Sequence, residues 1–257
     1  MIAVTVTNQK GGVGKTSTAH ALITSLHAYG YKVLAIDLDP QTNLTYTSGN
    51  FPDLPTLYDA FTGKASIQDV ITKSSVGYDV TPGDISFSSA DMEFTAKNKT
   101  FILKGLLEPI KENYDYCIID TPPTLGILTI NALSTSDKAI IPMNADIYSA
   151  QGLSQLWSLM DSVRTYCNPD LIAAGILINR FNARSVINRQ INDSIYDIAK
   201  TLNTHVLSHI REAVAVKEVQ YMQGSLFRDY PSAKVTSDYW HFIDEFLGKP
   251  VVINTIK

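Results

Sequence analysis

The sequence predicts an α/β fold: a mostly parallel, twisted sheet flanked by helices on both faces. Three observations carry that expectation. Short apolar runs alternate with stretches of helical apolar periodicity along the chain. A glycine-rich stretch, Gly11-Gly12-Val13-Gly14, sits where the first apolar run turns into the first periodic one. Two apolar runs end in a carboxylate, Asp37 and Asp120. In open sheets of this kind, ligands bind at the carboxyl ends of strands.

With 257 residues the chain is long enough to bury a full core. No repeat, low-complexity tract or composition shift divides it, so one domain spanning 1–257 is expected. Hydrophobic residues make up 45% and charged residues 18%, ordinary for a globular protein. The net charge of −4 does not favour nucleic acid through bulk electrostatics and confines any such site to a local patch. Cys117 and Cys167 match no metal spacing, which suits a reduced, cytoplasmic chain. No apolar run reaches the roughly 18 residues of a spanning helix. The first segment lacks the basic start of a signal peptide.

Each element follows from its local pattern. Residues 2–7 are apolar and β-branched on both sides of the pleat, a buried strand. Residues 16–29 carry Ala19, Ala21, Leu22, Ile23 and Leu26 at helical spacing, and Gly30 stands at the stop. Residues 32–37 form a second buried strand, closing a βαβ unit with a right-handed crossover. Asp37 and Asp39 then arrive beside the glycine loop. The polar, turn-rich stretch that follows, through Gly49, Pro52 and Pro55, reads as an irregular loop. Residues 56–73 hold two short helical patterns, and 78–82 a short strand. The serine-rich run after it has no clear assignment. Residues 99–112 read as one helix with Phe101, Ile102, Leu106, Leu107 and Ile110 on a face. A strand at 114–120 ends in Asp120 and runs into Thr121-Pro122-Pro123. Strands follow at 138–142, 171–179 and 206–210, and helices at 149–166, 184–200 and 213–222. The helix at 184–200 has Val186, Ile187, Ile191, Ile195 and Ile198 as its apolar stripe. The last helix, 232–247, turns Val235, Tyr239, Trp240, Phe242, Ile243, Phe246 and Leu247 inward and is stopped by Gly248 and Pro250.

The glycine stretch has a specific chemistry. At a strand-to-helix turn, successive backbone N–H groups and the helix N-terminus cradle phosphate oxygens. Gly11, Gly12 and Gly14 let the backbone approach a ligand closely. Lys15 supplies charge to the β- and γ-phosphates, and the Thr16 hydroxyl is placed to ligate Mg²⁺. Val13 and Ser17 belong to the same nucleotide-binding stretch. The usual phosphate-loop spacing has glycine where this chain has Gln9, and a second lysine, Lys10, stands inside the loop. A hydrophobic strand ending in an aspartate such as Asp120 is the companion pattern that holds Mg²⁺.

The form Lys10-Gly11-Gly12-Val13-Gly14-Lys15-Thr16 resembles the deviant Walker A motif of the ParA/MinD family of P-loop ATPases. Ile36-Asp37-Leu38-Asp39-Pro40-Gln41 is similar to the family's second signature, and Asp120-Thr121-Pro122-Pro123 to its third. The resemblance implies a P-loop NTPase fold, ATP and Mg²⁺ as ligands, and weak intrinsic ATP hydrolysis. It implies that the Asp39 carboxylate orients the attacking water and that Asp37 and Asp120 belong to the Mg²⁺ shell; the irregular stretch through Gly49, Pro52 and Pro55 is expected to be a nucleotide-sensing loop. It also implies that Lys10 reaches the nucleotide of a second subunit, so that the active species is an ATP-sandwiched homodimer. GTPases read guanine with N-K-x-D, and Asn179-Arg180-Phe181-Asn182 lacks that aspartate. Adenine is therefore expected, with Asn179 as its candidate contact; the other reading of Asn179 is a cap on the strand end.

Residues 210–218 resemble the segment with which partition ATPases bind double-stranded DNA without sequence preference. Arg211 and Lys217 are the candidate contacts, with Arg180, Arg184, Arg189 and Lys200 as further contributors. Such contacts go to phosphates and depend on salt. The alternative is ordinary solvated charge. The last helix carries Asp238, Asp244 and Glu245, which an anionic bilayer repels, so no membrane partner is expected. The chain begins at its first strand, so no N-terminal helix-turn-helix domain is expected. The resemblance thus implies a small, nucleoid-associated partition ATPase whose hydrolysis is stimulated by a ParB-like centromere-binding protein. A MinD-like membrane-associated ATPase, and a P-loop ATPase that positions a protein cargo or acts without DNA, are the competing readings.

Overall fold

The computed structural model describes residues 1–95, 97–146 and 149–249. The first half of the chain runs β1 (Ile2–Val6), α1 (Lys15–Ala28), β2 (Val33–Asp37), α2 (Asn43–Ser48), α3 (Leu57–Phe61), α4 (Ile67–Val70), β3 (Thr72–Lys73), β4 (Asp79–Thr81), α5 (Ala90–Glu93), α6 (Ile102–Leu107) and β5 (Tyr116–Asp120). The second half adds α7 (Ile127–Thr135), β6 (Lys138–Asn144), α8 (Ser149–Tyr166), β7 (Ile172–Asn179), α9 (Val186–Thr201), β8 (Val206–Ile210), α10 (Val214–Tyr221), α11 (Leu226–Asp229) and α12 (Lys234–Phe246).

The strands form one eight-stranded sheet in the order β3-β4-β2-β5-β1-β6-β7-β8. Every pairing is parallel except the short β3–β4 pair. The register decides where chemistry can occur. Asp120 lies opposite Val6 on one side and Asp37 on the other. The loops leaving β1, β2 and β5 therefore emerge level with one another at one edge of the sheet.

Helices cover both faces, which is why the central strands are apolar throughout rather than alternating. All five residues of β2 are buried. On one face Val4, Val6, Ala35 and Ile118 pack against Leu22, Ile23 and Leu26 of α1 and Tyr239, Phe242 and Ile243 of α12. On the other, Leu34, Ile36 and Ile119 meet Leu57, Phe61, Leu103 and Ala132, while Ile141, Met143, Ile176 and Ile178 meet Leu153, Leu156, Met160 and Ile195. Each such large apolar side chain contributes about 1.5–3 kcal/mol when fully buried.

The structure differs from expectation in several places, among them the short strand β3 within residues expected to be helical. Within the stretch expected to be an irregular loop lies α2, whose polar residues turn inward: the Ser48 hydroxyl bonds Tyr78 and the Leu44 carbonyl. Hydroxyls satisfied this way leave no apolar period to read. The helix expected over 99–112 breaks into α6 between two 3₁₀ turns, Lys97–Phe101 and Glu108–Asn113. Pro109 has no N–H for an α-helical bond and tightens the chain after α6. Helices α7 and α11 had no expected counterpart. In α7 the buried Asn131 amide bonds the Lys99 and Ile127 carbonyls, so a polar residue faces inward. Strand β6 continues through Pro142 to Asn144. It can do so because β1 has ended, and the Pro142 carbonyl on that side accepts from the Asn8 side chain at 2.8 Å. Finally, Val186 and Ile187 are 58% and 64% exposed, so the inward stripe of α9 is shorter than expected. Pro250, expected to help stop α12, lies outside the described residues. Among the described residues no helix is long and apolar enough to cross a membrane.

Candidate functional site

The loop after β1 is fixed before any ligand arrives. The Asn8 carboxamide oxygen accepts from the Lys10 N–H at 3.0 Å while its nitrogen bonds Pro142. Gly12 and Gly14 have φ of 72° and 90°, a region that disfavours side chains. Gly14 has a second reason to be glycine: a Cβ there would lie 2.6 Å from the Asn179 amide nitrogen. That nitrogen donates to the Val13 carbonyl at 2.7 Å and to Thr18 Oγ1 at 3.3 Å. Asn179 therefore braces the phosphate loop from β7, a role neither reading of the sequence included. Its Oδ1 is buried and has no partner.

Four charged groups meet at the level ends of β1, β2 and β5. Lys15 is buried, with Nζ 3.3 Å from the Lys10 carbonyl. Burial pulls its pKa down, against the opposing pull of Asp120 and Asp39. The Thr16 hydroxyl donates to Asp120 Oδ2 at 2.6 Å. Asp120 Oδ1 is buried without a partner. Burial, and then the neighbouring Asp37, push the Asp120 carboxyl well above its usual range. Asp37 is fully buried and both its oxygens take protein donors: Asp39 N at 3.1 Å, Thr45 N at 2.8 Å and Thr45 Oγ1 at 2.7 Å. Burial raises its pKa to about 6 despite those bonds. Asp39 is raised by burial as well, and its Oδ1 accepts from Gln41 N at 3.0 Å.

Two of these groups, Lys15 and Asp39, line a cleft of about 550 Å³ together with Gly11, Gly12, Gly14, Thr16, Ser17 and Gln41, whereas Asp37 and Asp120 are fully buried. Tyr46, Pro123, Arg180, Gln220 and Tyr221 complete its rim. Beyond Gly14 and Ser17 a smaller space of about 150 Å³ is walled by Asn179, Arg180, Ile210, Ala213, Val216 and Tyr239. Among the described residues there is no cluster of three or more His, Cys, Asp or Glu able to hold a metal. Magnesium does not need one, since it is usually held by one or two carboxylates together with substrate phosphates. Thr16 and the unpartnered oxygen of Asp120 fit that kind of site.

The remaining sequence candidates separate. Lys10 forms an ion pair with Asp146 of the same chain, Nζ to Oδ2 2.5 Å. Arg211 is held by Asp238 of α12 through two guanidinium bonds, 2.6 and 2.7 Å, and one from its backbone N–H at 3.1 Å. Asp238, expected on a solvated polar side, thus ties α12 to the end of β8. Arg180, Arg184 and Arg211 surround one groove, and Lys217 stands on the adjoining rim. Arg189 turns back to the Ala183 carbonyl, and Lys200 lies exposed near the far end of α9. Asp146 and Gln220 carry no sequence signal because their partners are distant in the chain; Thr45 carries none because its bonds to Asp37 and Gly83 depend on the turn between β2 and α2. Gln220, for example, donates to Ser17 Oγ at 3.1 Å.

Residues 1–173 match the family described as AAA domain. Sporulation initiation inhibitor protein Soj of Bacillus subtilis is 39% identical over 196 residues, 75% of this chain and 78% of Soj. Chromosome partitioning protein ParA of Caulobacter vibrioides is 34% identical over 229 residues, 86% of this chain and 83% of that protein. The chain belongs to the ParA family. A solved ATP-analogue and magnesium complex of cobyrinic acid a,c-diamide synthase from Mycobacterium smegmatis superposes with a TM-score of 0.84. It is 27% identical, and the match covers 96% of this chain and 94% of that one. The ParA-family expectation drawn from three short motifs therefore extends to sequence similarity over most of the chain and to the P-loop fold.

Proposed function

We propose that this chain is a single-domain DNA-segregation ATPase. It binds Mg·ATP, dimerises around it, holds DNA without sequence preference, and lets go when a ParB-like partner stimulates slow hydrolysis. One observation carries the reading: Lys15, Thr16 and Asp39 line one cleft, and the Thr16 hydroxyl is bonded to Asp120, whose other oxygen is buried without a partner. Thr16 and Asp120 hold Mg²⁺, and Asp37 adds negative charge from behind. Mg²⁺ held there would supply the neutralising charge that phosphoryl transfer requires. Lys15 adds a second positive charge beside the phosphates. The Asp39 carboxylate accepts a hydrogen bond from the attacking water and orients it. The smaller space beside Asn179 suits adenine, whose amino group can donate to the buried Oδ1.

Lys10 crosses to the other subunit's nucleotide in the dimer, leaving Asp146 as it does so. The groove bearing Arg180, Arg184 and Arg211, with Lys217 beside it, is the DNA surface. The protein works in the cytoplasm on the nucleoid, and the apolar stripe of α12 is core rather than a membrane anchor, its Tyr239, Phe242 and Ile243 being at most 1% exposed.

Replacing Asp39 with Ala tests the hydrolytic assignment. Expected is loss of ATP turnover by about a hundredfold with ATP still bound, read by phosphate release and equilibrium binding. Turnover within about twofold of the unsubstituted chain would assign the water to another group.

A further inference from the structure

We propose that Thr45 is a positioning residue for ATP hydrolysis. Its hydroxyl clamps the Asp37 carboxylate to the Gly83 amide and so fixes the loop that carries Asp39. The inference rests on the hydrolytic reading of the cleft and deepens it.

The loop between β2 and α2 closes on one carboxylate. At its start, the Asp39 N–H donates to Asp37 Oδ1 at 3.1 Å. At its end, the Thr45 N–H and hydroxyl both donate to Asp37 Oδ2, at 2.8 and 2.7 Å. Asp39, the group that faces the cleft, hangs between these two anchor points. Within the loop, Thr42 N–H bonds the Asp39 carbonyl at 2.8 Å, and Thr42 takes a left-handed φ of 53°. That uncommon backbone persists only where the surroundings impose it.

Thr45 also looks outward. Its Oγ1 accepts from the Gly83 N–H at 2.8 Å. Gly83 is pressed onto Asp37: a Cβ there would stand 2.9 Å from the Asp37 carbonyl oxygen and 3.0 Å from its Cγ. Gly83 leads into the 3₁₀ turn Ile85–Ser89, and Phe87 of that turn shares a cavity of about 260 Å³ with Asp39, Pro40, Gln41, Pro122 and Pro123. One hydroxyl therefore joins the anchor of the catalytic loop to the segment that backs it.

The chemistry demands a hydroxyl at this position, because the same atom donates to a carboxylate and accepts from an amide. Valine has the shape and neither function; serine has both. A purely space-filling Thr45 would tolerate valine better than serine, whereas a clamp requires the reverse.

The test compares Thr45→Val and Thr45→Ser with the unsubstituted chain by steady-state ATP hydrolysis, ATP affinity and thermal melting. Expected for Thr45→Val is a kcat lower by about tenfold to a hundredfold, because small misplacements of a catalytic group cost that much. Its ATP affinity stays within about threefold, since the hydroxyl is taken up by Asp37 and Gly83 and Thr45 does not line the cleft, and Thr45→Ser recovers kcat to within about threefold. The proposal is overturned if Thr45→Val turns over within about twofold of the unsubstituted chain, or if Thr45→Ser is as slow as Thr45→Val. It is also overturned if ATP affinity falls in step with kcat, which would mark a ligand contact. If Thr45→Val does not melt cooperatively, Thr45→Ala replaces it under the same criteria. Absence of hydrolysis by the unsubstituted chain, even with DNA, overturns the hydrolytic reading instead, so the two failures are distinguishable.

Discussion

Single residues in this protein sit where burial and function pull apart. His20, in the middle of α1, is fully buried, and its Nε2 has no partner. Burial lowers its pKa from 6.5 to about 4. The unfolded chain therefore takes up a proton first as the solution is acidified. The stability associated with neutral His20 is complete above about pH 6.5 and is lost as pH falls towards about 4. Between roughly pH 7 and pH 5 the loss amounts to about 2 kcal/mol. Urea midpoints at the two pH values should show it, and His20→Leu should flatten that part of the dependence; an equal fall in the variant would place the acid sensitivity elsewhere. At this scale the nucleotide residues were legible in the sequence because a phosphate loop is a local constraint: Gly12, Gly14, Lys15 and Thr16 must follow one another. Asp39 and Asp120 were legible because both lie at or just beyond the end of a buried strand. Asp146 beside Lys10 and Gln220 on Ser17 were not, because each contact joins elements that only the fold brings together, and Thr45 on Asp37 was not, because it depends on how the intervening turn folds back.

Elements were legible where packing imposes a period and hidden where polar groups supply it. Helix α8 and strand β8 fall at their expected limits. Helices α2 and α7 escaped because Ser48 and Asn131 satisfy themselves on neighbouring carbonyls and hydroxyls, so their inward faces do not read as apolar. The junction of β8 with α12 yields a prediction at this scale. The Arg211–Asp238 pair holds the two together, with the Arg211 side chain 46% exposed and that of Asp238 12% exposed. A pair this open contributes about 0–1 kcal/mol. Arg211→Ala should therefore fold normally, weaken DNA binding uniformly across sequences, and reduce the salt slope by about one. Asp238→Asn, which releases the guanidinium, should bind DNA at least as well. Unchanged DNA affinity in Arg211→Ala would identify Arg211 as a brace between elements and move the DNA surface to its neighbours.

At the scale of the whole molecule, the sheet order places β1 between β5 and β6, so the phosphate loop opens at the centre of one edge. Asp120 arrives from β5 beside it and Asp37 from β2 one strand further out, while α10, which carries Lys217, touches the cleft of the phosphate loop through Gln220 and Tyr221. The nucleotide cleft and the proposed DNA surface are thus neighbours, and a ligand that rearranges one can bias the other in proportion to its differential affinity for the two states. The most direct test is fluorescence anisotropy of a duplex of arbitrary sequence, at about 0.15 M salt with Mg²⁺ and no partner protein. The chain should bind the duplex with ATP and at least about tenfold more weakly with ADP. Equal affinity with ATP and ADP, or no binding with either, would contradict a DNA-binding state made and unmade by ATP.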